Sequence, residues 1–137
     1  VTAEIEALTS GADGPYFEGL KAGEIRVQKC AGCSEIHWPA VFRCPDCGSW
    51  EHVWQTVSPE GRIFSWTRTW HAFGGPAAHK PPFVSVVVSL LDADHVRLIG
   101  TLDRPDAAVA IGARVRADIT EVDFLDRKIP TLIWSLV

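Results

Sequence analysis

The four cysteines of this 137-residue chain fall into two pairs, Cys30-Ala-Gly-Cys33 and Cys44-Pro-Asp-Cys47. A two-residue spacer lets a backbone turn present both sulfurs to one ion, so two such pairs read as a tetrahedral metal site with metal–sulfur bonds of about 2.3 Å. Gly32 and Gly48 supply the permissive backbone that such turns require. Two disulfides or a redox-active pair are the competing readings. Reducing cytosol disfavours the first, and a lone redox pair has no need of a second copy. Zinc is the expected ion, and iron can occupy the same four thiolates, because spacing does not discriminate between metals. With every position taken by a thiolate, none is left open for water or substrate, so the expected role is structural and not catalytic.

The rest of the chain is ordinary for a folded protein, with 47% apolar and 22% charged residues and a net charge of -4. Its length suits one compact unit with an appendage. The longest apolar run, Phe83 to Leu91, is interrupted by Ser85 and Ser89 and falls short of the roughly 18 residues a membrane span needs. The opening Val-Thr-Ala-Glu-Ile-Glu lacks the basic and apolar stretches of a secretory signal, so a cytoplasmic location is expected. No methionine occurs, even at position 1, which is compatible with a domain excised from a longer polypeptide. Lys and Arg are scattered and the balance is acidic, which argues against a protein built to neutralise phosphates along a duplex.

Residues 1–24 read as a lead-in followed by a short amphipathic helix. Asp13 is placed to cap it, Pro15 suits its first turn, Tyr16, Phe17 and Leu20 recur at helical spacing, and Gly23 is placed to end it. The helix serves either as a lid on the adjoining core or as a docking element. Residues 25–57 read as a small β-ribbon around the cysteines. Residues 58–137 carry five strands: Arg62–Trp70, Phe83–Leu91, Val96–Leu102, Ala113–Ile119 and Leu132–Leu136. Phe64, Trp66 and Trp70 are expected on one face of the first, opposite Ser65, Thr67 and Thr69. Asp92-Ala93-Asp94 reads as a hairpin turn, and residues 103–112 as a connection with room for one helical turn. A five-stranded antiparallel set of this size fits a small closed barrel, of which the OB-fold is the commonest type, with a sandwich as the alternative.

The order of helix, ribbon and barrel resembles the acyl-CoA-associated OB-fold family known as domain of unknown function number thirty-five, which has an N-terminal rubredoxin-like zinc ribbon. The resemblance runs from about Tyr16 to the C-terminus. It rests on Tyr16-Phe17-Glu18, Gly23-Glu24-Ile25, the two cysteine knuckles, Trp38-Pro39 and Gly61-Arg62-Ile63-Phe64-Ser65-Trp66-Thr67. Pro82-Phe83-Val84, Val96-Arg97-Leu98 and Ile111-Gly112-Ala113-Arg114-Val115 continue it. Two departures stand out: Ser34, where a glycine usually follows the first knuckle, and Ala40-Val41 in place of a common Pro-Arg. What the resemblance implies is a non-catalytic accessory subunit or fused domain. Its expected partner is a thiolase-fold enzyme, either a thiolase or a side-chain aldolase of steroid breakdown, and some members are fused to a hotdog-fold enoyl-CoA hydratase. Acyl-CoA is the implied ligand.

Within the chain no Gly-x-Ser-x-Gly, P-loop, His-Glu-x-x-His or dinucleotide fingerprint is present. Arg68, Arg97, His79 and Lys80 are the candidates for the cationic end of a CoA-phosphate site, because the loop from His71 to Pro82 joins two barrel strands and such loops commonly border the ligand face. Ordinary solvated charge is the competing reading. Six tryptophans is a high count for this length, and interfaces are enriched in this residue. Trp38, Trp66, Trp70 and Phe73 are therefore candidates for a partner-facing surface, with core packing as the alternative. The rival function from another class is a single-stranded nucleic-acid-binding module, in which bases stack on aromatics in a basic groove.

Overall fold

The computed structural model describes residues 10–74, 80–124 and 126–137. The chain divides into two compact units, one ending at Ser58 and the other beginning at Pro59. In the first, helix α1 (Gly14–Lys21) has proline in its first turn and buries Tyr16, Gly19 and Leu20. The Asp13 side chain makes no capping bond; its carbonyl instead accepts the N–H of Tyr16 at 3.0 Å. Gly23, at φ +83°, turns the chain out of the helix. Strands β1 (Ile25–Cys30), β2 (Ile36–His37) and β3 (His52–Val57) follow, forming an antiparallel sheet in the order β2-β1-β3.

The second unit is a closed barrel of β4 (Glu60–Thr69), β5 (Phe83–Leu90), β6 (Arg97–Leu102), β7 (Arg114–Phe124) and β8 (Arg127–Leu136), in the order β4-β5-β6-β8-β7. One pairing, β6 with β8, is parallel, and the others are antiparallel. This is the OB-fold arrangement. Alternation along β5 buries Val84, Val86, Val88 and Leu90, which meet Ile63, Leu98, Leu102, Val115, Leu132 and Trp134 in the core.

Three departures from the sequence pattern have physical causes. A β-bulge lies between Ile63 and Ser65, so Phe64 has no partner in the register, and Trp66 pairs with inward-facing Val86 while Ser65 pairs with Val87. The bulge thus separates Phe64 from Trp66, which the uninterrupted alternation had placed on one face. Residues 103–112 hold no helical turn. Two of their carbonyls, Pro105 O and Ala107 O, accept from the Arg68 guanidinium at 3.0 and 2.6 Å, which satisfies them without helical N–H partners. Finally, β7 and β8 run well past the alternating segment, paired from Val115↔Leu136 to Phe124↔Arg127. Thr120 to Asp123 have no fully buried face, so ladder hydrogen bonds rather than burial extend these strands.

Closure of the barrel depends on small residues at close approaches. A Cβ at Gly100 would stand 2.7 Å from Leu132 O and from the Trp134 ring, and one at Gly61 would collide with Val88 and with the Ser89 carbonyl. We expect Gly100→Ala to destabilise the barrel by about 1–3 kcal/mol through overpacking, read as a lower urea midpoint at unchanged slope. A midpoint equal to that of the unaltered chain would show that β8 retreats freely.

Candidate metal centre

The first knuckle leaves the end of β1 and the second lies in the loop between β2 and β3. In each, the N–H of the residue after the second cysteine closes on the carbonyl of the first: Ser34 N to Cys30 O at 3.0 Å, and Gly48 N to Cys44 O at 2.9 Å. Both closing residues are left-handed, Ser34 at φ 67° and Gly48 at φ +80°. The glycine of the first knuckle serves a different purpose. Gly32 is not in the left-handed region, but a Cβ there would lie 3.1 Å from Cys47 Sγ, so its smallness lets the second knuckle approach the first. The position that needs φ freedom is Ser34, where a side chain carries the strain instead.

The four sulfurs converge, every pair within 4.8 Å. Cys30 Sγ is 3.5 Å from Cys47 Sγ and Cys33 Sγ is 3.6 Å from Cys44 Sγ. A disulfide needs about 2.05 Å, whereas a tetrahedron of metal–sulfur bonds of about 2.3 Å has edges of about 3.8 Å. The donor set and its spacing therefore fit a tetrahedral ion. Cys30 and Cys44 are buried, Cys33 is half-buried and Cys47 is exposed. Hydrogen bonds from the N–H of Cys33 and, secondarily, of Gly32 hold the Cys30 thiol down to about 6 against burial. Cys33 behaves oppositely: the Glu35 N–H resists the rise, but burial and the neighbouring sulfurs push it up to about 12. Such a set loses all its protons only in exchange for a cation's charge, so metal retention falls as pH is lowered.

Behind the second knuckle, Gln28 sits fully buried in β1. Its amide donates to Val41 O at 2.8 Å and accepts from Val41 N at 2.9 Å, fixing the segment that leads into Cys44. Nothing in the sequence marks this glutamine. It adjoins the alternating Ile25 and Val27 and reads as solvent-facing.

The other candidates are scattered. Arg68 lies across β5 from Val84 and Arg97 across from Ser89, five residues or about 17 Å along that strand. Because β5 separates β4 from β6, the two arginines are not neighbours. Arg68 braces the 103–112 loop and sits over the Trp66 and Trp70 rings at 5.4 and 5.9 Å. Arg97 lies over the Phe64 ring at 3.7 Å. Lys80 lines a recess of about 310 Å³ with Phe83, Thr101, Asp103, Glu121 and Thr131, and His79 falls outside the described residues. Among the interface candidates, Trp38 is half-buried with its ring 4.8 Å from Tyr16, and Trp66 is half-buried. Trp70 and Phe73 are 73% and 85% exposed. No described helix is long and apolar enough to cross a membrane.

Two family models match the chain in succession: "ChsH2, rubredoxin-like zinc ribbon domain" over residues 17–52 and "ChsH2, C-terminal OB-fold domain" over residues 54–120. Among curated proteins, the "3-oxo-4,17-pregnadiene-20-carboxyl-CoA hydratase alpha subunit" of Mycobacterium tuberculosis is 34% identical over 131 residues, covering 88% of this chain and 35% of its own length. The "Probable enoyl-CoA hydratase alpha subunit" of Thermomonospora curvata is 30% identical over 112 residues, covering 79% and 33%. The chain thus spans about a third of the length of these relatives. Among solved structures, an "Ltp2-ChsH2(DUF35) aldolase" chain superposes with a TM-score of 0.77 at 25% identity, over 90% of this chain and 93% of that one. A DUF35 protein of unknown function from Sulfolobus solfataricus shares the fold, with a TM-score of 0.61 at 18% identity over 99% and 92%.

We expect Cys44→Ser to lose stoichiometric metal and the ribbon's structure together. Gln28→Leu should cost about 1–3 kcal/mol by orphaning both Val41 groups. Ser34→Gly should stabilise the metal-loaded ribbon by about 1 kcal/mol through relief of left-handed strain. Urea unfolding with metal analysis of each variant checks all three, and a destabilised Ser34→Gly would contradict the strain argument.

Proposed function

Because the chain belongs to the ChsH2 family of zinc-ribbon and OB-fold proteins, we propose that it is a non-catalytic accessory component of an acyl-CoA-processing complex. In this reading it docks on a thiolase-superfamily enzyme, a thiolase or a side-chain aldolase acting in steroid degradation, and helps form that enzyme's acyl-CoA site. The observation that carries the proposal is the likeness, through both modules, to the chain of the Ltp2-ChsH2(DUF35) aldolase. The hydratase names of the longer relatives support a hotdog-fold enoyl-CoA hydratase as a further partner.

The metal centre supports this division of labour. Four thiolates would saturate a structural zinc ion and leave it no position for a substrate oxygen or an activated water, and in this reading the reacting groups come from the partner. Trp70 and Phe73 are the exposed aromatics best suited to the partner-facing surface. Of the cationic candidates, Lys80, which lines its recess, is the one we assign to a CoA phosphate, since Arg68 is committed to loop carbonyls and Arg97 to Phe64.

The test is purification of the tagged chain from its source cell, with mass spectrometry of the eluate and of its metal. Co-purification of a thiolase-fold enzyme with about one zinc per chain is expected. Trp70→Ala with Phe73→Ala should weaken that association by about 2 kcal/mol while leaving the metal in place. Salt-sensitive binding of single-stranded oligonucleotides with no protein partner would replace the proposal with the nucleic-acid reading.

A further inference from the structure

Three of the four sulfurs draw on backbone N–H groups: those of Cys33 and Gly32 for Cys30, that of Glu35 for Cys33, and that of Ser49 for Cys47. Cys44 has a side-chain nitrogen within hydrogen-bonding distance. His37 Nε2 lies 3.3 Å from Cys44 Sγ and 3.6 Å from Asp46 Oδ2, with the His37 side chain only 15% exposed. His37 comes from β2, outside both knuckles. Its nitrogen clusters with Cys44 and Asp46, while the four sulfurs cluster with one another. It therefore stands on the outer side of Cys44 and is not a fifth member of the tetrahedron.

The neighbours of this nitrogen fix its hydrogen. A metal-bound thiolate and a carboxylate accept hydrogen bonds and cannot donate them, so the nitrogen that faces both must carry the proton. A divalent ion with four thiolates leaves an excess of negative charge on the sulfurs. Cys44 is 2% exposed, too buried for water to disperse its share.

We propose that His37 is a positioning residue of the metal centre: its Nε2–H donates to the Cys44 thiolate, orienting that sulfur and drawing off part of its charge. This rests on the four-sulfur metal reading. His37 does for the buried sulfur of the second knuckle what the Gly32 amide, 3.3 Å from Cys30 Sγ, does for that of the first. Donors behind a ligand tune metal retention as well as geometry. Asp46 sets the direction, because its carboxylate, inside the second knuckle, attracts the same N–H from the side.

The test loads the full chain with the NMR-active isotope of cadmium. The cadmium shift reports how many sulfurs bind, and a scalar coupling from cadmium to the His37 ε2 hydrogen reports the N–H···S bond. A four-sulfur shift with that coupling is expected. A four-sulfur shift without it overturns the role of His37 alone, and a shift for fewer sulfurs overturns the metal reading beneath it. In parallel, His37→Gln keeps a donor and His37→Leu removes it. Retention of zinc against a competing chelator should fall about tenfold in the leucine variant and stay near the original in the glutamine one. Equal loss in both would reduce His37 to packing. Should the leucine variant fail to fold, the coupling in the unaltered chain still decides.

Discussion

Four sulfurs held within bonding range of one point organise the whole N-terminal unit. Among its described residues that unit has one eight-residue helix and three strands, one of them only two residues long, which is little apolar surface for a self-sufficient core. What replaces the core is a cross-link: Cys30 at the end of β1 and Cys44 in the following loop are joined through one ion, and metal binding of this kind contributes on the order of 10 kcal/mol. The supporting contacts make sense around that centre. Gln28 ties down the segment entering the second knuckle, and Tyr16 packs the helix against Trp38, its phenol pushed up to about 12 by burial and by Asp13.

The barrel is held by different means. Its core is a conventional apolar interior, with Trp134 completely enclosed, and its seams are short. β4 meets β7 over three residue pairs, where the Glu60 carboxylate lies 3.2 Å from Arg114 and 3.6 Å from Arg116. Such exposed pairs contribute about 1 kcal/mol or less each, so the seam is positioned by its ladder and the charges select its register. At the far end of β4, Arg68 links the strand to the 103–112 loop and lies over two tryptophans, which leaves Trp70 projecting from a fixed base.

Legibility from sequence followed the range of the interactions involved. The cysteine knuckles and the clean alternation of Arg114 to Ile119 are local codes, and each was readable where it stood. The β5 run was readable for the same reason. The bulge at Phe64 was not, because an extra residue in one strand is defined only against the partner it fails to meet. The same holds for the Arg68 bonds to carbonyls 37 and 39 residues away and for Gln28, whose partner is 13 residues off. Arg68 and Arg97 would form one cationic end only if their strands were adjacent, and the intervening β5 is a fact of topology. Ser34 stood out as an oddity of sequence, and only its φ of 67° gives the oddity a physical meaning.

The parallel seam of β6 and β8 has a consequence for how this barrel assembles. Only Thr101↔Ile133 and Leu102↔Trp134 are in register there, and they join segments 32 residues apart, whereas β7 and β8 zip from a tight hairpin at Asp126. Loop closure over such a span is entropically expensive and little pairing rewards it. The hairpins therefore form early and the ring shuts last, so the Thr101 and Leu102 amides belong to the least protected part of the ladder. In a nascent chain, this open ring is the stage at which the β6 and β8 edges are exposed to other chains and most in need of shelter.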